Sequence, residues 1–362
     1  MNREFGIAPY SFTSIIFMAD GFFDGILRPS RELAPVPFAC TLCGSCAFFC
    51  ITVPLHAIWD SPAELVEGIR SLFIEEGALP TKVTEVLDNL ASYGNPWRLP
   101  QSMKVKWEDE CTVPVRDFTK EKCEYLLFMG DAAFIDETKS TIRSVAELLH
   151  KAGVNYGTLK EKEIDSGGTA RELGEYGLFG ELVEKNIKTF KEYGVRKVIT
   201  LSPHDYHTFL TYYPKFGFKF EEVLHHTQFL NKLINEGKIK PSGRIDKIVT
   251  FHDSCILGRY YNKFEPPREI IKSIPGVRFV ELKQNQIFSL CCGGGGGRMW
   301  YDVPEEKIKV RVSDIRVSQA RDAKAEIITT ACPYCKSMLL ASENLEEIKV
   351  EDVAELLLKS TL

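Results

Sequence analysis

The sequence predicts an α/β protein with an α-helical N-terminal domain followed by two pseudo-repeated α/β units, each built on a short, mainly parallel sheet. Three observations carry this. Short apolar runs recur at Tyr125-Leu126-Leu127-Phe128-Met129, Val198-Ile199-Thr200-Leu201, Ile248-Val249-Thr250-Phe251, 277–282 and Ile327-Ile328-Thr329-Thr330, and a continuous apolar run marks a strand covered on both faces. Amphipathic segments at 142–149, 181–193, 268–274 and 306–323 lie among them, the alternation expected of parallel sheets. Before residue 100 the apolar spacing is helical. A chain of 362 residues with 44% hydrophobic content buries a core of two or three domains.

The first domain spans 1–100. Ile15, Ile16, Phe17, Phe22, Phe23, Ile26 and Leu27 recur at roughly helical spacing, interrupted by Gly21 and Gly25. They are expected to pack on the segment that follows, with docking onto a partner subunit as the alternative. Residues 61–93 predict two amphipathic helices. Ser61 and Glu64 have capping-box spacing, Pro62 suits a first turn, and Gly77 and Pro80 close the first helix. Residues 101–122 are polar and aperiodic and read as a linker, with Cys111 inside it. The α/β units then occupy 123–240 and 241–362.

Nine of the eleven cysteines fall in two clusters of metal-binding type, which points to metal sites in a reducing compartment. Cys40-Thr-Leu-Cys43-Gly-Ser-Cys46-Ala-Phe-Phe-Cys50 is the C-x2-C-x2-C-x3-C run of bacterial-type ferredoxins. It makes the N-terminal domain ferredoxin-like and predicts a [4Fe-4S] cubane cluster. Zinc takes only four ligands and commonly pairs two well-separated C-x2-C halves, whereas this run sets its cysteines in one continuous stretch. Ile51 stands where the ferredoxin pattern has proline. Because the fourth cysteine of such a run serves a second cluster and no second run exists, Cys40, Cys43 and Cys46 are assigned. The fourth corner is left to Cys50, Cys111, Cys123, a non-cysteine ligand or a partner's residue.

The second cluster is Cys255, Cys291, Cys292, Cys332 and Cys335. Glycines 293–297 give the backbone freedom to turn beneath the adjacent pair. Five soft thiolates exceed what zinc requires, and a disulfide framework would leave one over. The two α/β units align by their signposts: Asp131 with Cys255, Asp165-Ser166-Gly167-Gly168 with Cys291-Cys292-Gly293-Gly294, and Ser202-Pro203-His204-Asp205 with Cys332-Pro333-Tyr334-Cys335. The second unit therefore reads as an intact site and the first as its cysteine-free vestige. Asp131, Asp165 and Asp205 are expected to line a polar pocket, and His204 and His207 to be ordinary hydrogen-bonded residues. His252 and Asp253, just before Cys255, suit a role in tuning or proton transfer. Arg259 and Arg298 either steer an anionic substrate or form surface ion pairs.

The segments FHDSC, SLCCGGGGGRMW and TTACPYCKSML resemble the cysteine-rich CCG domain of the heterodisulfide reductase family, and the resemblance runs from about residue 35 to near the end. It implies a noncubane [4Fe-4S] cluster on the five cysteines, which makes them catalytic residues; His252 joins them as a catalytic candidate by its position just before Cys255. Family members often fill both copies, and their first ferredoxin run would fall just before Met1, so the chain is expected to be a shortened member with one cubane. The implied function is an oxidoreductase subunit passing electrons from the cubane to the noncubane cluster, where a disulfide or related sulfur substrate is reduced. The alternative is a relay between a flavoprotein dehydrogenase of glycerol-3-phosphate, glycolate or lactate type and a membrane or quinone partner. The implied partners are a flavoprotein or other iron–sulfur redox subunit, a membrane cytochrome b-type subunit, and a thiol or disulfide substrate.

A net charge of -5 with scattered Lys and Arg offers no footprint for nucleic acid. Neither a secretory signal nor an apolar run of about 18 residues is evident. A cytoplasmic protein is expected, held on the membrane face through a partner. The glycines 293–297 belong to the cysteine pair and no phosphate-binding loop opens a helix, so flavin or nucleotide is expected from a partner.

Overall fold

The structure, a computed structural model, describes residues 11–49, 62–302 and 310–361. Among the described residues the strands form two all-parallel sheets. The first contains β1 (Arg116–Asp117), β2 (Tyr125–Phe128), β3 (Tyr156–Thr158), β4 (Lys197–Thr200) and β5 (Glu222–His225) in the order β1-β3-β2-β4-β5. The second contains β6 (Ile248–Phe251), β7 (Arg278–Phe279), β8 (Ile327–Thr330) and β9 (Lys349–Asp352) in the order β7-β6-β8-β9. The order of the second sheet reproduces the inner β3-β2-β4-β5 of the first, so the repeat read from the signposts is also a repeat of topology.

The central strands are the apolar runs. Leu126 pairs Val198 and Leu127 pairs Ile199 in the first sheet, and Val249 pairs Ile327 in the second. All of β2 and β8 is buried, as strands covered on both faces must be. Asp131 and Cys255 follow β2 and β6. Ser202-Pro203 and Cys332-Pro333 follow β4 and β8 and open the helices Pro203–Thr211 and Pro333–Leu340. Both copies of the site thus sit at the carboxyl ends of the strands, where open parallel sheets bind ligands.

The two units share a core. Leu127 and Ile199 of the first sheet, Val249 and Phe251 of the second, and Leu356 and Leu357 of the C-terminal helix Val353–Lys359 belong to one buried cluster. A buried His226 Nε2–Asp352 Oδ1 contact of 3.0 Å crosses the same interface.

Three expectations change. Residues 101–122, read as a linker, are an ordered part of the first unit. Gln101–Glu110 coils as a 3₁₀ helix with Lys104 and Trp107 buried, and β1 pairs with β3. The Lys104 charge is held there by Glu163 at 2.9 Å. The strand expected over 277–282 is paired only at Arg278 and Phe279, because Leu282 leaves the sheet edge for a small core with Val317 and Ile328. In the N-terminal region, the helix Phe12–Phe23 buries Ile15 and Met18, while Phe17, Phe23 and Ile26 are 68%, 96% and 77% exposed. The helices Pro62–Glu75 and Thr81–Tyr93 form as expected, and Gly94 closes the second in the left-handed conformation. Ser61, Cys50 and Ile51 lie outside the described residues.

Candidate metal centre

All five cysteines of the second unit are buried and gathered in one cluster. Cys255 precedes the turn Ile256–Tyr260 after β6, and Cys332 caps the helix that carries Cys335 in its first turn. Cys291 and Cys292 lie in the extended approach to the glycine run. There the Gly293 N–H reaches Cys291 Sγ at 3.3 Å and the Gly294 N–H reaches Cys292 Sγ at 3.4 Å, and Gly293 at φ 100° turns the chain that follows. The thiols crowd one another: Cys292 and Cys335 Sγ lie within 4.8 Å, and the ionisation of Cys255, Cys291, Cys332 and Cys335 is perturbed by neighbours within the set. Burial opposes ionisation of Cys332, but hydrogen bonds from Cys335 and His204 outweigh it and bring it to about 5.

The surrounding side chains present donors with nothing to bond. His252 Nδ1 accepts the Arg316 Nε–H at 3.1 Å, so Nε2 carries the proton; it is buried without a partner and lies within 4.8 Å of Cys292 and Cys335 Sγ. Burial and the Arg316 charge lower the His252 pKa to about 3, which keeps the ring neutral. Arg259 Nη2, Arg316 Nη2, two nitrogens of Arg298 and Trp300 Nε1 are likewise buried and unpaired. Such donors are rare in a finished interior. A sulfide-rich anionic group supplies the acceptors they lack, so the residues present fit an iron–sulfur cluster.

Arg259 is no surface ion pair. Its guanidinium is buried, donates to Cys43 O at 2.6 Å and Ser289 O at 2.7 Å, and lies near the Cys43, Cys255 and Cys291 thiols. Arg298 does pair with Asp302, at 3.4 Å. Asp253 is locked in a two-pronged pair with Arg268, at 2.7 and 2.9 Å, and so positions the strand end rather than facing the thiols.

The ferredoxin-type run lies directly against this centre. Cys40, Cys43 and Cys46 line a cavity of about 240 Å³, and Cys43 packs against the cluster that holds Cys291. Burial pushes Cys40 up to about 11 and Cys46 to about 12, so loading a metal there would release protons. Arg70, buried, donates to the carbonyls of Pro37, Cys40, Glu172 and Gly296, tying the run to the glycine turn and the first unit. Gly296 has φ 61°, and a Cβ on it would lie 2.5 Å from Cys40 O. Gly296→Ala is therefore expected to cost more than about 1 kcal/mol and to weaken metal retention by the Cys40 run, read as a lower urea midpoint and faster iron release to a chelator. Cys111 neighbours Glu108, Arg143 and Glu147, and Cys123 neighbours Arg116, Asp117 and Glu121. Neither shares the surroundings of Cys40, and Cys50 is outside the described residues.

The three aspartates do line a buried polar region. Asp131 Oδ2 accepts from Tyr334 Oη at 2.6 Å, Asp165 Oδ1 from the Gly167 N–H at 2.6 Å, and Asp205 Oδ1 from Ser166 Oγ at 2.6 Å. His207 is an ordinary structural residue, bonded to Tyr261 Oη at 2.8 Å and Tyr212 Oη at 3.2 Å. His204 is not: its Nδ1 bonds Glu172 Oε1 at 2.5 Å, the Cys332 thiol lies close enough to raise its pKa, and its ring lies tilted against Tyr334 at 4.8 Å between centroids. Burial disfavours its charge, yet the Glu172 carboxylate raises its pKa well above the ordinary value. Glu172, Arg70, Arg316 and Tyr334 carry no signal as roles in the sequence, because their partners are distant in the chain. Tyr334 alone is placed by its motif.

The cysteine-rich CCG domain family matches residues 127–209 and 249–340, the two repeated units. The chain is 38% identical over 90% of its length to a Bacillus subtilis protein named "Probable iron-sulfur-binding oxidoreductase FadF", and 36% identical over 89% to one from Syntrophomonas wolfei named "EtfAB:quinone oxidoreductase". It spans about half of each, 46%. It is 32% identical over 87% of its length to a component of the dihydromethanophenazine:CoB--CoM heterodisulfide reductase of Methanosarcina acetivorans, of which it covers 75%. No helix among the described residues is long and apolar enough to cross a membrane. The chain belongs to the CCG-domain family of iron–sulfur oxidoreductases that includes this heterodisulfide reductase component.

Proposed function

We propose that this chain is the electron-relaying part of an iron–sulfur oxidoreductase, working between a flavoprotein and a quinone-linked or membrane partner. On this reading Cys40, Cys43 and Cys46, with Cys50 as the fourth ligand, hold a [4Fe-4S] cubane, and Cys255, Cys291, Cys292, Cys332 and Cys335 hold a noncubane [4Fe-4S] cluster. Such groups supply one-electron transfer. The observation that carries the reading is the packing of Cys43 against the five-cysteine cluster, where Arg259, beside the Cys255 and Cys291 thiols, donates to Cys43 O at 2.6 Å. It joins a half-exposed cysteine set to a buried one, as a route for single electrons requires.

The protein's own residues do the rest. Arg259 places its charge among three thiols and screens the negative charge a loaded centre carries. His252 Nε2–H and the unpaired arginine donors offer hydrogen bonds that raise the potential of such a centre. The lack of cysteine at Asp131, Asp165, Ser166, Ser202 and Asp205, the positions that align with the five cysteines, removes the second centre with which a substrate disulfide would be flanked. The name of the Syntrophomonas relative fits a flavoprotein donor and quinone acceptor, and an exposed apolar surface at Phe17, Phe23 and Ile26 suits a partner protein. The chain itself would lie on the cytoplasmic side.

The second reading, reduction of a disulfide or related sulfur bond, is favoured by a cavity of about 270 Å³ lined in part by Ile256 and Tyr260, which follow Cys255. Anaerobic mixing with a reduced electron-transferring flavoprotein separates the two. The relay predicts bleaching of the iron–sulfur absorbance without any thiol. No bleaching, together with a thiol-dependent change in the EPR spectrum of the oxidised protein, would favour sulfur chemistry.

A further inference from the structure

The acids that replaced the cysteines of the first unit are 6%, 4% and 7% exposed at Asp131, Asp165 and Asp205. The titratable groups facing them are Lys104, Glu163, His204, Tyr213 and Tyr334. The two cations among these are already engaged, Lys104 by Glu163 and His204 by Glu172. Nor are the three carboxylates gathered as a cation site: among the described residues the group of three ligand atoms close enough to hold an ion is His252, Cys292 and Cys335. Protons are the remaining means of relieving their charge. Solvent comes near them at the cavity lined by Gly168 and Thr208, where the Gly168 N–H bonds Ser166 Oγ, which in turn donates to Asp205. The opposite end of the group touches the five-cysteine centre through Tyr334, which stands between Cys332 and Cys335 and donates to Asp131.

We propose that the aspartate cluster of the first unit is a proton-holding site that takes up one proton from solvent for each electron gained by the five-cysteine centre, with Asp131 nearest that centre and Asp205 nearest the entry. This rests on the reading of the five cysteines as an iron–sulfur centre. One electron arrives from a one-electron donor, one proton arrives from water, an O–H bond forms on a carboxylate oxygen, and no sulfur bond changes. The physical cause is that an electron added to a buried centre raises the energy of neighbouring carboxylates in a low dielectric. Burial already raises Asp131, Asp165 and Asp205 to about 7, which poises them to load near neutral pH.

The test is a mediated redox titration of the cluster-loaded protein from pH 6 to 8, followed optically with dithionite as reductant. The midpoint potential of the five-cysteine centre should fall with each pH unit, toward 59 mV for a tenfold change in proton concentration per electron. Asp131→Asn should flatten the slope most, and Asp165→Asn and Asp205→Asn should reduce it. A pH-independent potential in the unmodified protein, or an equal slope in all three variants, overturns the coupling. Iron and sulfide content report the cluster separately: an unloaded protein sinks the cofactor reading, a loaded one with flat potential sinks the proton site alone. An infrared measurement needs no cluster. A deuterium-sensitive carboxylic acid band should be present at pH 6, fade toward pH 8 and diminish in Asp165→Asn; its absence at pH 6 overturns the proposal.

Discussion

Cys292→Ser, purified without oxygen, is expected to lose the metal of the five-cysteine centre and keep that of the Cys40 run, so that iron and acid-labile sulfide fall together by roughly half, as two four-iron groups would dictate. Cys292 adjoins Cys291 in the chain and its Sγ lies within 4.8 Å of Cys335, so its loss opens the cysteine set in the middle. A serine oxygen is a hard, poorly ionised ligand and does not replace a thiolate on iron. Cys111→Ser is the control, because Cys111 sits among Glu108, Arg143 and Glu147 and should leave both contents unchanged. Equal metal content in Cys292→Ser and the unmodified protein would remove this cysteine from the site.

Arg70→Met is expected to destabilise the protein by at least about 3 kcal/mol, since each buried carbonyl left unpaired costs on the order of 1–3 kcal/mol. Arg70 is wholly buried and donates to carbonyls from three parts of the chain: Pro37 and Cys40 in the N-terminal run, Glu172 in the first unit and Gly296 in the glycine turn. Methionine keeps most of the volume and none of the donors, so the loss reports the hydrogen bonds rather than a cavity. The spectroscopic signature of the Cys40 set should fade before the five-cysteine centre is affected, because the Cys40 carbonyl is among those released. Urea unfolding and EPR of the same samples check both. A loss below about 1 kcal/mol with an unaltered Cys40 signal would contradict the role assigned to Arg70.

The parts of the fold that the sequence reveals are those whose pattern is local. β2, β4, β6 and β8 are central strands, and burial on both faces makes each a continuous apolar run. β3 with its Tyr-Gly-Thr, and β5 and β9 at sheet edges, mix polar and apolar residues and show no such run. The stretch holding Lys104 and Trp107 looks like a linker because a lysine in a polar segment ordinarily points to water. Its burial depends on Glu163, far along the chain. At the site, cysteine spacing locates both clusters, and the Gly and Pro signposts locate the repeat. What spacing does not show is that the two clusters touch, since Cys43 and Cys291 meet only when the glycine turn packs on the N-terminal run. His204 reads as ordinary in the sequence because its Glu172 partner lies 32 residues away.

On the proposed reading, the packing of Cys43 against the five-cysteine cluster makes one electron route of the two cysteine sets, and EPR of the partly and fully reduced protein, alongside iron, sulfide and zinc analysis, tests it most directly. Equal iron and sulfide, negligible zinc, and signals that broaden and split on full reduction are expected, because two paramagnetic centres lie side by side. Zinc with little iron, or two signals that add without interaction, would contradict it.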